Sequence, residues 1–225
     1  SEKDKMDAEH IQYLLTHELN FSEKFKITSN YYYNGFKRNW YKLDDVVFDD
    51  NSQKISKVIS NPEEFDNHIS ILKGGLDSNN SLKVKANNRE YVSKGIQTKI
   101  DYHWYGKNNS FNDLEIGLRY HYDEEDRFQW EDLYSIKNGF MSLDKFGEKG
   151  SQGNRISSAN SFATYLMYKY KIKSLTITPG IRYESIKLSR EDFGKSNPLR
   201  SLNDLSFREN KVSVLIPGLG LNYTI

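Results

Sequence analysis

Leu114-Glu115-Ile116-Gly117-Leu118-Arg119-Tyr120-His121-Tyr122 switches at every step between an apolar side chain and a polar or absent one. Leu114, Ile116, Leu118, Tyr120 and Tyr122 share one face, and Glu115, Gly117, Arg119 and His121 share the other. A period of two is the mark of a strand with one apolar face. The same alternation sets Leu175, Ile177, Ile181 and Tyr183 against Thr176, Thr178, Arg182 and Glu184. It sets Ile96, Ile100, Tyr102 and Trp104 against Gln97, Lys99, Asp101 and His103, and Phe25, Ile27, Tyr31 and Tyr33 against Lys26, Thr28 and Asn30. Leu215, Leu219, Leu221, Tyr223 and Ile225 likewise oppose Gly218, Gly220, Asn222 and Thr224. Two strands read less cleanly. Ile11, Tyr13, Leu15, Leu19 and Phe21 share their face with His17, and Ser161 to Lys171 is apolar in both registers.

The connections alternate as well. Ser22-Glu23-Lys24, Gly106-Lys107-Asn108-Asn109-Ser110 and Lys171-Ile172-Lys173-Ser174 are tight turns, while polar segments near 44–88, 130–158 and 189–209 read as long loops. Loops of that length are rare inside compact domains. Tight turns at one end of a meander and long loops at the other are the layout of a transmembrane β-barrel. The first loop carries a helix signal: Asn61 to cap, Pro62 at the first helical position and Glu64 to complete a capping box. Phe65, Ile69 and Leu72 then form a stripe before Gly74-Gly75, so the spacing predicts a helix over Pro62–Lys73, lying on neighbouring loops.

Composition narrows the class. Mean hydropathy is −0.79, yet the 225 residues include 16 Tyr and 12 Phe, which suits surfaces apolar at one end and wet at the other. The formal net charge of +1 supplies no basic field for nucleic acid. There is no Cys, hence no disulfide or thiolate metal site. No apolar run is long enough for a membrane-crossing helix, and Ser1-Glu2-Lys3-Asp4-Lys5 is not a signal peptide. The expected fold is therefore all-β: an antiparallel up-and-down transmembrane barrel segment of about seven strands, near 8–21, 25–43, 83–105, 112–130, 159–171, 174–189 and 209–225. The competing architecture is a soluble β-sandwich, whose apolar face would meet a second sheet. Lys26, Lys99, Asp101, Glu115, Arg119, Arg182 and Glu184 on the inner faces suit a wet lumen better than a dry core. Seven strands do not close a wide barrel, so the chain reads as an excerpt of a longer polypeptide.

The sequence also resembles a known family. Tyr31-Tyr32-Tyr33-Asn34-Gly35-Phe36-Lys37-Arg38-Asn39-Trp40-Tyr41-Lys42-Leu43, Gly117-Leu118-Arg119-Tyr120-His121 and Asp126-Arg127-Phe128-Gln129 are similar to barrel segments of TonB-dependent receptors of the ferric dicitrate transporter type. Thr176-Ile177-Thr178-Pro179-Gly180-Ile181-Arg182-Tyr183-Glu184 and Leu215-Ile216-Pro217-Gly218-Leu219-Gly220-Leu221-Asn222-Tyr223 resemble strands of TonB-dependent barrels generally. The resemblance runs from about Asp7 to Ile225 and implies a 22-stranded barrel around an N-terminal plug. Residues 1–225 would then be a partial barrel domain, without plug or C-terminal strands. It implies a multi-pass protein of the Gram-negative outer membrane, with its long loops extracellular. Its partners would be outer-membrane lipid, its own plug, TonB through an N-terminal segment, and a ferric chelate carried as ligand, with no cofactor.

No catalytic constellation is visible, so an enzyme is not expected. Asp44-Asp45, Asp49-Asp50 and Glu124-Glu125-Asp126 read as solvated loop charge, and His10, His17, His68, His103 and His121 lack metal-ligand spacing. His17 on the apolar face is tolerable only near a membrane border. Ferric dicitrate is an anion with carboxylates, which Arg binds in bidentate fashion. On that chemistry the candidate ligand residues are Arg89, Arg127 and Arg155, near the loop ends of strands, with Gln129 and Asn88 as neutral donors. For Arg119 and Arg182 inward acids or the plug are the expected partners. Three functions compete: an active iron-chelate importer driven through TonB; a related receptor for another siderophore, haem, glycan or peptide; and a passive porin-type barrel.

Overall fold

Every alternating stretch becomes a strand of one antiparallel sheet. The computed structural model describes residues 1–224; Ile225, the last residue of the seventh expected strand, lies outside the described residues. The elements are β1 (Lys5–Ser22), β2 (Phe25–Phe48), β3 (Asn51–Lys54), α1 (Ile55–Ser60), α2 (Asp66–Leu72), β4 (Ser78–Tyr105), β5 (Phe111–Lys137), β6 (Phe140–Lys145), β7 (Gly153–Ile172), β8 (Leu175–Asp192) and β9 (Ser206–Tyr223). The main path β1-β2-β4-β5-β7-β8-β9 joins neighbours in sequence, and β3 and β6 are short partners of β2 and β5. All eight pairings are antiparallel, with no crossover. The described strands form one sheet, so the sandwich reading fails.

Register gathers the apolar positions on one side. Ile27, Ile100, Ile116, Leu166, Ile181 and Pro217 form one cross-strand row, and Tyr31, Ile96, Tyr120 and Phe162 another. Leu118, Tyr120, Phe162, Leu166, Ile181 and Leu221 remain exposed on that face. β7, ambiguous in sequence, settles with Phe162, Leu166 and Tyr168 on the apolar side and Ala163 and Tyr165 on the charged side. Towards the loops the apolar face ends at a row containing Lys94, Tyr122 and Lys187, where Lys94 lies 5.2 Å from the Tyr122 ring centroid. Towards the turns lie stacked Tyr102, Trp104 and Tyr168. From Lys94 to Trp104 a strand tilted by about 40° rises about 25 Å, the height of a barrel's hydrocarbon band. His17 sits opposite Ser29, beside Thr98 and Leu118, midway through the band and not at its border. Ser29 and Thr98 bond each other there at 3.0 Å.

At the loop end the strands run further than alternation alone predicts. The expected loop 44–88 contains the end of β2, β3, two helices and the start of β4; the loop 130–158 contains the end of β5, β6 and the start of β7. Two-residue hairpin turns close these additions: Asp49-Asp50 and Asn138-Gly139 all have φ between +50° and +81°. Asp44 and Asp45 are therefore strand residues, each paired to Lys54, at 2.9 and 2.6 Å. The single expected helix is two. Asn61 caps the end of α1, its Nδ2 donating to the Lys57 carbonyl at 3.1 Å, and Pro62 stops that helix instead of opening the next. α2 starts at Asp66 and ends as expected: Gly74 (φ +74°) and Gly75 donate back to Ile71 and Ser70. Its buried stripe is Phe65, His68 and Ile71, not Phe65, Ile69 and Leu72. Ile71 packs with Tyr41, Leu43, Val46, Leu82, Val84, Ala86, Tyr134 and Ile136 into a core over the loop end of β2, β4 and β5. Each fully buried Val or Ile there stabilises the cap by about 1.5–3 kcal/mol.

Candidate ligand-binding face

The charged face is built by the same register. Near the turns its ions are paired with one another: Lys26 with Glu18 at 3.0 Å, Lys99 with Asp101 at 3.1 Å and Glu115 at 3.6 Å, and Arg182 with Glu184 at 2.5 Å. Glycine makes room for aromatic side chains between them. Tyr32 lies over Gly95 and reaches His121 Nδ1 at 2.5 Å, and Tyr165 lies over Gly117 and donates to Glu115 at 2.5 Å. His121 Nε2 in turn is 2.6 Å from Asp123. Among the described residues, Arg119 Nε reaches only the Tyr32 hydroxyl, at 3.4 Å.

Higher up the balance changes. Arg38 stands opposite Arg89, Arg89 opposite Arg127, and Arg127 opposite Arg155, which faces Asp192 on β8. Strands lie about 4.8 Å apart, so the four arginines span about 14 Å of the charged face. They sit about 16 Å along the strand beyond the Lys94 row, outside the apolar band. The three arginines expected from the sequence thus come together in one line, and Arg38 joins them. Their register also moves them from strand ends into the sheet. Gln129 is buried beside them, its amide bonded to Asn87, whose Oδ1 also accepts from Arg89 Nε at 3.0 Å. The amide partner in this row is Asn87; Asn88, on the next residue, points to the other face of β4.

Like charges directly opposed across strands destabilise a sheet. Counter-ions offset only part of this. Glu125 Oε1 accepts from Arg89 at 3.0 Å and lies 2.9 Å from Arg127 Nε. The second contact is off the N–H line, so among the described residues Arg127 Nε has no hydrogen bond, and neither does Arg155 Nε. Asp192 is held by Arg190 at 2.6 Å. Burial first, then Arg127 and Arg190, pull the Arg155 guanidinium below its ordinary range. Burial pushes the Glu125 carboxyl up, but Arg127 and Arg89 outweigh it and hold it below the ordinary value. One row towards the turns, Phe36 and Tyr91 stack at 6.0 Å and 25°. The acids of Glu124-Glu125-Asp126 are thus strand residues with partners: Tyr122 for Glu124, arginines for Glu125, and Arg200 for Asp126 through two bonds of 2.7 and 2.5 Å.

An open antiparallel sheet with an apolar band, tight turns at one end, folded loops at the other and an ionic inner face is a piece of barrel wall. The sequence matches the family described as TonB dependent receptor-like, beta-barrel, over residues 2–225. This chain belongs to that family. Barrels of TonB-dependent receptors are outer-membrane proteins, and the fold is that of such a barrel, unclosed over this length. It is similar to the ferric citrate transporter FecA in its unliganded form, with 15% identity and a TM-score of 0.63 over 99% of this chain and 26% of that one. It is similar to the siderophore receptor PiuA from Acinetobacter baumannii, with 11% identity and a TM-score of 0.62 over 98% of this chain and 31% of that one. BauA, the ferric preacinetobactin receptor of the same organism, gives 11% and 0.58, over 96% of this chain and 28% of that one. The chain spans about a quarter to a third of these solved structures. No curated protein matches the sequence.

Proposed function

We propose that this chain is wall and outer loops of an outer-membrane importer that takes up an anionic iron chelate, ferric dicitrate being the first choice, with energy delivered through TonB. The observation that carries the reading is the row Arg38, Arg89, Arg127, Arg155, which has more guanidinium than its neighbouring acids neutralise. A compact chelate with several carboxylates matches donors repeated at strand spacing. On this reading residues 1–225 are part of a larger barrel whose plug and TonB-contacting segment are supplied elsewhere in the polypeptide. The apolar face meets lipid, the charged face meets the plug, and the folded loops lie outside the cell. Membership of a TonB-dependent family favours a receptor over a passive porin. The stacked pair Phe36–Tyr91 beside the row supports a second reading, a siderophore that carries aromatic rings as well as oxyanions.

The test is Arg127→Ala in the complete receptor, titrated with ferric citrate. Loss of one charge-assisted contact from a partly enclosed site costs about 1.5–3 kcal/mol, or roughly 10- to 150-fold in affinity. Outer-membrane abundance should not change. Equal affinities in variant and parent would refute the site. Tight binding of an aryl siderophore with none of ferric citrate would select the second reading.

A further inference from the structure

Glu125 occupies an unusual place in the arginine row. It projects from the row below, opposite Tyr91 and Ser157, and sends one carboxylate oxygen between two arginines of neighbouring strands. That oxygen is 3.0 Å from Arg89 Nη1 and 2.9 Å from Arg127 Nε, and it satisfies only the first. Arg89 also reaches the Tyr91 hydroxyl at 3.3 Å and Asn87 at 3.0 Å, so it keeps neutral partners if the carboxylate leaves. Among the described residues Arg127 has no such second partner at Nε. The neighbours loopward of the pair are the amides of Asn87 and Gln129, which bring no charge. The Glu125 side chain is 24% exposed, and the two arginine contacts are its ionic partners.

We propose that Glu125 is a built-in counter-anion that stands where one oxyanion of the ligand will stand, and that the ligand binds by exchanging its own carboxylate for that of Glu125. This rests on the reading of the arginine row as the ligand site. Glu125 sets a threshold. A monoanion gains little over the carboxylate already present and is rejected. A ligand with several oxyanions gains by also engaging Arg155 and Arg38, which Glu125 does not reach. Glu125 is thus a specificity-determining residue for polyanions, and it keeps Arg89 and Arg127 from repelling each other while the site is empty.

The experiment is Glu125→Gln in the complete receptor, titrated with ferric citrate and, separately, with acetate as the monoanion probe. The variant should bind ferric citrate roughly tenfold more tightly, because no internal ion has to be displaced. It should also acquire measurable acetate binding. Its affinity should fall more steeply with salt than the parent's, since one more positive charge is uncompensated. In an Arg89→Ala/Arg127→Ala background the Glu125→Gln gain should disappear. Glu125→Asp, which keeps the charge on a shorter arm, checks that folding is intact and should lie between parent and Gln. Weaker or unchanged ferric citrate binding in Glu125→Gln, with Arg127→Ala still impaired, overturns the proposal and makes Glu125 a support for the arginines. Unchanged binding in Arg127→Ala overturns the site reading itself, and the exchange with it.

Discussion

Gly117→Ala should destabilise the barrel through Tyr165 more than through the backbone. A Cβ built on Gly117 overlaps the Tyr165 ring, 2.5 Å from Cζ, so the ring has to leave its place. Displacement breaks the 2.5 Å bond from the Tyr165 hydroxyl to Glu115. A hydrogen bond to a charged group contributes about 1.5–3 kcal/mol. Forcing the ring off its rotamer adds about 0.5–1.5 kcal/mol. Replacing glycine by alanine in a strand returns about 0.5–1 kcal/mol. The net expected loss is about 1–4 kcal/mol, centred near 2.5. Tyr165→Phe, which removes only the bond, should cost about 1.5–3 kcal/mol. In Tyr165→Ala the ring is already gone, so adding Gly117→Ala should cost nearly nothing more. The double-mutant coupling then equals the whole Gly117→Ala loss, about 2.5 kcal/mol. Urea unfolding of the complete receptor refolded in lipid vesicles, followed by tryptophan fluorescence, measures all four species. Additive losses, or a Gly117→Ala change below about 0.5 kcal/mol, would refute the reasoning that the glycine exists to seat the tyrosine.

Two further outcomes are expected. Burial holds the Glu131 carboxyl above its ordinary value, with Asp45 and Asp44 adding to it against Lys83 and Lys85. Because the folded value is raised, ionisation costs stability as pH rises through the ordinary carboxyl range and beyond; Glu131→Gln should therefore melt higher than the parent at pH 7 and equally at pH 4. Arg200 clamps the 193–205 segment by its two bonds to Asp126, one of 2.9 Å to Asn154 and its place 4.5 Å over Phe128. Arg200→Ala should release that segment by about 2 kcal/mol, read as roughly 30-fold faster proteolysis there with no change in the strands; an unchanged cleavage rate would show that the loop is held by something else.

The strands of the apolar band were legible locally. Alternation is a property of adjacent residues, so Leu114 to Tyr122 declared their two faces without knowledge of any partner, and the tight turns declared the meander. The chemistry of arginine picked out Arg89, Arg127 and Arg155 one at a time. Above the membrane band lipid no longer enforces alternation, and there the reading weakened. The Asn138-Gly139 turn carried a hairpin signal inside what looked like a loop. Asn61-Pro62 fits the end of one helix as well as the start of another, and only the burial of Val58 and Ile71 against the sheet selects the end.

The arginine row belongs to the tertiary structure alone. Arg38, Arg89, Arg127 and Arg155 are far apart in the chain, and their alignment depends on the length of every intervening turn and on the bulge between Leu43 and Asp45. Side-chain direction repeats every two residues, so a slip of one residue in any pairing would send that arginine to the opposite face. Sequence determined which residues alternate and which carry charge; register decided which charges meet, because hydrogen-bonded pairing between distant strands is the only thing that sets them side by side.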